Sequence, residues 1–370
     1  MPVVVLFYQD NGMGMHEIFI LKSIYSLAIV ALELPSGWMA DVWGRKKTLL
    51  LGAVLGSAGF LMYSFSYGFW AFVAAEIVLG AGHSFVSGAD SAILYDSLKA
   101  DKKSDEYVKH EGRITSAGNF AEALAGVAAG FLAAISLRTP FYFQFVVATL
   151  AVPAALMLKE PLTKAATTGH SVKSMFFTIK NMLLKETNLR VSILLSAATG
   201  TATLTFAWLV QPFFKAVDLP VEWFGILWTA LNLSVGVSSA FAYRFEGHFN
   251  RRKEVFFIVL ILALGYFLAG IAILREGIIF LFVFYFVRGI ATVVFKNYIN
   301  RYTPSEIRAT ILSVRNLIIR VSFAVIGPLL GWMTDHISLK MAFILAGGIY
   351  FIAALAAVWP WLWSGKYRKV

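Results

Sequence analysis

Residues 37–47 read GWMADVWGRKK, two glycines, one aspartate and three bases in eleven positions, set between two long apolar stretches. A polar knot of this kind takes its meaning from the chain around it. Hydrophobic residues make up 59% of the 370 and charged residues 14%, against roughly 45–50% and about 25% in soluble domains. With a mean hydropathy of +0.72, the chain carries more apolar surface than one or two soluble cores can bury. It therefore reads as an all-α, polytopic membrane protein. Cysteine is absent, which excludes disulfides and thiolate metal sites and leaves the redox compartment open.

Outward from the quoted stretch, apolar runs fall near 17–40, 47–67, 69–98, 110–136, 139–158, 191–214, 221–245, 254–274, 277–300, 308–333 and 339–363. Each is close to the roughly 20 residues that an α-helix needs to cross a bilayer core. Ahead of them, MPVVVLFYQ would rise only about 13 Å as a helix. It is expected to be the second half of a helix that starts upstream, so twelve spanning helices are expected. Lysine and arginine orient them. With 44–47 placed inside and the sides alternated, the inner segments hold 22 of these residues and the outer loops four, Arg138, Lys215, Arg275 and Lys340. Cytoplasmic loops carry such an excess, so the C-terminus is expected inside. The formal charge of +11 is then a product of topology spread over short loops, which excludes nucleic acid as a partner.

Residues 159–190 are the longest polar interruption. They separate a six-helix half at 1–158, its first helix incomplete, from a second half at 191–363, with a basic tail at 364–370. Within the linker, Val172, Met175, Phe176, Ile179 and Leu183 recur at helical spacing opposite Lys173 and Lys180. That pattern predicts an amphipathic helix on the inner membrane surface. The halves also read as repeats: YRFEGHFNRRK (243–253) follows the eighth helix where GWMADVWGRKK follows the second.

Gly37, Asp41, Gly44, Arg45 and Lys46 fit the pattern G-x-x-x-D-x-x-G-R-K. With the six-plus-six layout, the whole chain resembles the major facilitator superfamily of secondary transporters, in its prokaryotic form. The resemblance implies two six-helix halves related by a pseudo-two-fold axis, a monomer in the inner membrane of a prokaryote, a small-molecule substrate and no cofactor. It also implies that Arg45 pairs with an acid at the inner end of the fourth helix, for which Asp96 is the candidate, and that Asp41 faces the start of helix 11. Such contacts would latch an inner gate, with Glu33 two turns before Asp41 in the same region. Physically, Gly37 would let two helices approach and Gly44 would permit a tight turn. The alternative is a loop whose charges only fix orientation.

Charges inside the apolar runs carry more information, because each costs roughly 2.5–3.5 kcal/mol at a helix centre. Glu33, Glu76, Asp90 and Glu122 fall in the first half, and Arg288, Lys296, Arg315 and Arg320 in the second. The signs segregate by half. Glu76, His83 and Asp90 are spaced by seven, which predicts one face of the fourth helix, a helix that lines the cavity in the family. Glu122, Arg288 and Arg320 lie near helix middles, where transporter substrate and ion sites are found. Glu122, and after it Asp90, are the proton-carrier candidates, since a desolvated mid-membrane acid has its pKa raised. Arg288, Arg320, Glu76, His83, Asn119, Gln144, Gln211 and Asn232 are the substrate candidates. Lys296 and Arg315, nearer the cytoplasm, read as gate residues. Each has a structural alternative: the bases can neutralise acids across an interface, Glu122 can bond to a hydroxyl, and His83 can pack.

No Walker loop and no metal-ligand histidine spacing occurs, and no nucleophile, base and orienter group of an enzyme is visible. The sequence points to proton-coupled movement of a small organic solute by alternating access, with export ahead of import. The Gly-Pro pair of the family's antiporter signature is absent from AGVAAGFLA in the fifth helix, which argues the other way. An importer or uniporter of an anionic or zwitterionic metabolite is the alternative. A receptor or assembly factor that retains the fold is the reading from another class.

Overall fold

In a computed structural model the chain divides into two compact units, residues 1–169 and 170–370. The structure describes residues 2–87, 89–103, 106–160, 186–245, 251–303 and 308–363. Unit 1 runs α1 (Val4–Asp10), α2 (Met15–Trp43), α3 (Arg45–Phe65), α4 (Phe69–Val86), α5 (Ala89–Ala100), α6 (Tyr107–Ile135) and α7 (Thr139–Met157). Unit 2 runs α8 (Thr187–Ala216), α9 (Val221–Phe245), α10 (Arg251–Ile271), a 3-10 turn (Arg275–Gly277), α11 (Ile278–Arg301), α12 (Arg308–His336) and α13 (Leu339–Trp363). Among the described residues, 11 helices are long and apolar enough to cross a membrane. They are α2–α4 and α6–α13, and they fall where hydropathy placed them to within a few residues, with one exception. The expected fourth helix, 69–98, is two helices, because Ser87 leaves the helical region with φ −59° and ψ 122°. The predicted linker helix (Val172, Met175, Phe176, Ile179, Leu183) and the basic tail lie outside the described residues.

Unit 1 is held by close helix contact and by an aromatic core. A Cβ added at Gly82 of α4 would lie 2.8 Å from the backbone nitrogen of Gly56 on α3, so the absence of a side chain is what lets these backbones meet, as small residues do between membrane helices. Around Tyr63, the ring of Phe141 stacks at 5.5 Å and the ring of Phe72 meets it edge-on at 5.5 Å. At the far end of α3, Arg138 donates to the carbonyls of Ser64 (3.1 Å) and Ser66 (2.9 Å) and to Asn11 Oδ1 (2.6 Å). It thereby satisfies carbonyls that the end of α3 leaves without helical partners.

Unit 2 is built around α8. Phe206 stacks on Phe284 of α11 at 3.7 Å. Thr205 shares a 2.6 Å hydrogen bond with Tyr350 of α13, and the Tyr266 hydroxyl of α10 donates to the Ala202 carbonyl at 2.5 Å. These polar contacts are carried by side chains that are themselves buried. They leave one flank of α8, the one bearing Ser196, Thr199 and Thr203, against α11 and α12.

Candidate functional site

The 37–47 stretch forms the end of α2, a one-residue turn and the start of α3. Gly44 makes that turn with φ +101°, a conformation other residues rarely adopt. The turn presents the first amides of α3, which have no helical acceptor, to the carboxylate of Glu160 just past α7. Glu160 accepts the N–H of Arg45 at 2.8 Å and of Lys46 at 2.7 Å, an anion at the positive end of a helix. The Arg45 guanidinium pairs with the Asp96 carboxylate and donates to the Ala92 carbonyl, both on α5. Asp41 has its side chain outside the described set. Gly37 departs from expectation: a Cβ there meets nothing within 4 Å, so no close helix approach depends on it. The Glu33 carbonyl accepts a 3.1 Å bond from the Ser36 hydroxyl.

Glu76 also departs from its expected place. Its carboxylate is 1% exposed and sits inside unit 1, not on an open face. It is paired with Lys22 of α2 and accepts hydroxyl bonds from Tyr63 and, at 2.6 Å, from Tyr8. Lys22 was missed as an intramembrane charge, and it breaks the segregation of signs between halves. Four helices, α1 to α4, each supply one member of this cluster. His83 and Asp90, by contrast, are exposed. The break at Ser87 puts Asp90 on a separate helix, so the seven-residue spacing no longer sets it on the face of Glu76, while His83 shares α4 with Glu76 but lies at an exposed level of it. The His83 ring meets Tyr25 edge-on at 6.2 Å.

On α6, Asn119 and Glu122 lie in an almost wholly exposed stretch with Phe120 and Leu124, 69% and 74% exposed. Gln144 of α7 is half-buried. In unit 2, Gln211 is buried, the Asn232 amide donates to the Trp228 carbonyl at 2.8 Å, and Lys296 is exposed. Glu254 of α10, buried at 2% exposure, accepts a bond from the Tyr298 hydroxyl. It escaped the sequence reading because it stands at the very edge of its apolar run.

Unit 2 holds a cavity of about 380 Å³ between α8, α11 and α12. Arg288, Arg315 and Arg320 all line it, beside the hydroxyls of Ser196, Thr199, Thr203 and Thr292. The sequence offered Arg288 and Arg320 for solute and set Arg315 apart for a gate; the structure brings the three together. Arg315 donates from Nε to Ser196 at 2.6 Å and from Nη1 to Asn316 at 3.1 Å. Arg288 lies 5.2 Å from the centre of the Tyr285 ring. Half-buried guanidiniums without carboxylate partners can bind an anionic group by paired N–H donation.

The sequence profile described as Major Facilitator Superfamily matches residues 1–219, more than half of the chain. The chain belongs to this superfamily. The match takes in the Gly37–Lys46 loop and all of unit 1, and reaches through α8. Among curated superfamily relatives, the quinolone resistance protein NorA of Staphylococcus aureus is 23% identical over 192 residues, 52% of this chain and 47% of NorA. Multidrug resistance protein 2 of Bacillus subtilis is 24% identical over 163 residues, 44% of this chain and 40% of that protein. The chain thus spans about half the length of the curated relatives it matches. Among solved structures, the nucleoside transporter NupG superposes with a TM-score of 0.80 at 15% identity, over 96% of this chain and 93% of that one. A D-xylose-proton symporter gives 0.72 at 16% identity, over 96% and 91%. At these identities the likeness shows the superfamily fold alone.

Proposed function

We propose that this member of the superfamily is a secondary transporter that carries a small organic solute across the cytoplasmic membrane by alternating access. The observation that carries the reading is the open cavity of unit 2, lined by three arginines and four hydroxyl side chains and set within membrane-length helices. A packed, non-transporting bundle has no use for three guanidiniums around such a space, since each is expensive inside a membrane. Coupling is to protons. Glu122 is an exposed acid near the middle of an apolar helix, where a proton taken up neutralises a charge that the bilayer disfavours.

Direction is export, supported by the drug-resistance names of the relatives. The second reading, import of a specific metabolite, draws on the nucleoside and xylose transporters that share the fold. The Gly44 turn, Arg45 with Asp96 and Glu160 serve the inner gate in either direction. Exchange of radiolabelled solutes across liposomes holding the full-length protein tests the reading. Saturable exchange of at least one solute class is expected. A protein that binds solute yet exchanges none is a receptor and not a transporter.

A further inference from the structure

The cavity of unit 2 has a one-sided charge pattern. Arg288, Arg315 and Arg320 line one space of about 380 Å³, and no aspartate or glutamate lines it with them. Among the described residues no carboxylate pairs with any of the three. Arg315 is held by a hydroxyl and an amide oxygen, Arg288 lies over an aromatic ring, and Arg320 has no hydrogen-bond partner in that set. In the first unit, by contrast, the half-buried bases Lys22 and Arg45 each meet an acid. Three guanidiniums around one small cavity repel one another, and an anion that enters relieves that repulsion.

Geometry narrows the anion further. Arg315 and Arg320 are five residues apart on α12, and Arg288 faces them from α11. A single negative charge would leave two guanidiniums unneutralised. Guanidinium forks match carboxylate and phosphate oxygens two at a time, and the hydroxyls of Thr199, Thr203 and Thr292 on the same walls suit a hydroxylated remainder. The volume falls in the range of roughly 300–1,000 Å³ found for small-molecule sites.

We propose that this cavity binds an organic anion carrying at least two negative charges, such as a phosphate monoester or a dicarboxylate, through Arg288, Arg315 and Arg320. As cargo, this anion rests on the reading of the chain as a transporter. The same chemistry is offered by two sources, a soluble metabolite and the phosphate of an anionic lipid headgroup, and the proposal assigns the cavity to the metabolite.

The full-length protein in phosphatidylcholine nanodiscs is titrated calorimetrically with glycerol phosphate, succinate, glycerol and tetraphenylphosphonium. The two dianions are expected to bind, more weakly as salt is raised, and glycerol and the cation to bind at least tenfold less tightly. Arg320→Gln is expected to weaken the dianions at least tenfold and Arg320→Lys by less, both variants remaining monodisperse. Equal or tighter binding of glycerol or tetraphenylphosphonium in the wild-type protein overturns the proposal. So does undiminished dianion binding in Arg320→Gln, or the absence of dianion binding in phosphatidylcholine. In nanodiscs rich in phosphatidylglycerol the dianions are expected to keep their affinity; loss of it there makes the lipid headgroup the occupant and removes the metabolite. Liposome exchange separates this proposal from the transporter reading. Exchange of a cation that Arg320→Gln leaves unchanged sinks the anion site alone, whereas dianion binding without exchange of any solute sinks transport alone.

Discussion

Lys22 on α2 and Glu76 on α4 form an ion pair within unit 1, with Glu76 1% exposed and Lys22 11% exposed, and the Tyr63 hydroxyl accepts a second bond from Lys22 at 3.2 Å. Three donors, from Lys22, Tyr8 and Tyr63, converge on one carboxylate oxygen. Glu76 therefore ties four helices, α1 to α4, together.

Breaking that pair from one side leaves a buried charge without a partner, which costs about 3–5 kcal/mol. Glu76→Gln and Lys22→Met are each expected to lower the thermal unfolding temperature of the purified protein sharply. The double variant should recover much of the loss, since replacing both members of a buried pair is often close to neutral. Additive losses in the double variant contradict the pairing.

Arg45 and Asp96 join the start of α3 to α5. A hydrogen bond to a charged group is worth about 1.5–3 kcal/mol, so Arg45→Gln and Asp96→Asn should each open the inner side by a similar amount. The double variant should open it no further. Because the chain has no cysteine, Asn316→Cys supplies a single labelling site at the cavity. On the proposal that the Arg45–Asp96 pair holds the inner gate shut, the reaction of this site with an impermeant maleimide applied from the cytoplasmic side is expected to quicken at least about tenfold in each variant. Unchanged labelling in both makes the loop an orientation signal only.

Glu160 caps α3 through two backbone amides. Loss of a helix cap costs about 0.5–2 kcal/mol. In Glu160→Ala, amide exchange at residues 45–48 should rise about 2–30-fold while exchange in unit 2 stays as it was. A uniform rise across the chain would point to global destabilisation instead.

Gly82 leaves room only for hydrogen where α4 crosses α3, since the nearest atoms to an added Cβ are backbone. Gly82→Ala must push the helices apart, and overpacking of this kind costs about 1–3 kcal/mol. Gly37→Ala, where a Cβ meets nothing, should be nearly silent in the same melting experiment. Equal effects at both positions contradict the crossing.

The spans were legible in the sequence because hydropathy is a local property: an apolar run of membrane length says helix whatever its neighbours are. Gly44 and Arg45 were legible for a related reason, as a turn and a charge at a helix start obey local rules. What escaped was set by tertiary proximity. Lys22 stood in an apolar run like the other intramembrane charges, yet nothing near it in sequence announced Glu76, 54 residues away. Glu160 was equally distant from the amides it caps, 115 and 114 residues. A seven-residue spacing placed Asp90 with Glu76 only on the premise of an unbroken helix, and Ser87 breaks it. Arg315 was parted from Arg320 by reading depth along the helix, whereas a cavity collects side chains from several levels.

Proton coupling through Glu122 is tested most directly by an internal pH dye in liposomes holding the full-length protein. Organic anions, zwitterions and lipophilic cations are added in turn to the wild type and to Glu122→Gln. A solute-dependent pH change in the wild type that disappears in Glu122→Gln is the expected result. Solute movement with no pH change, unaltered by Glu122→Gln, makes Glu122 structural and assigns transport to uniport or to another ion.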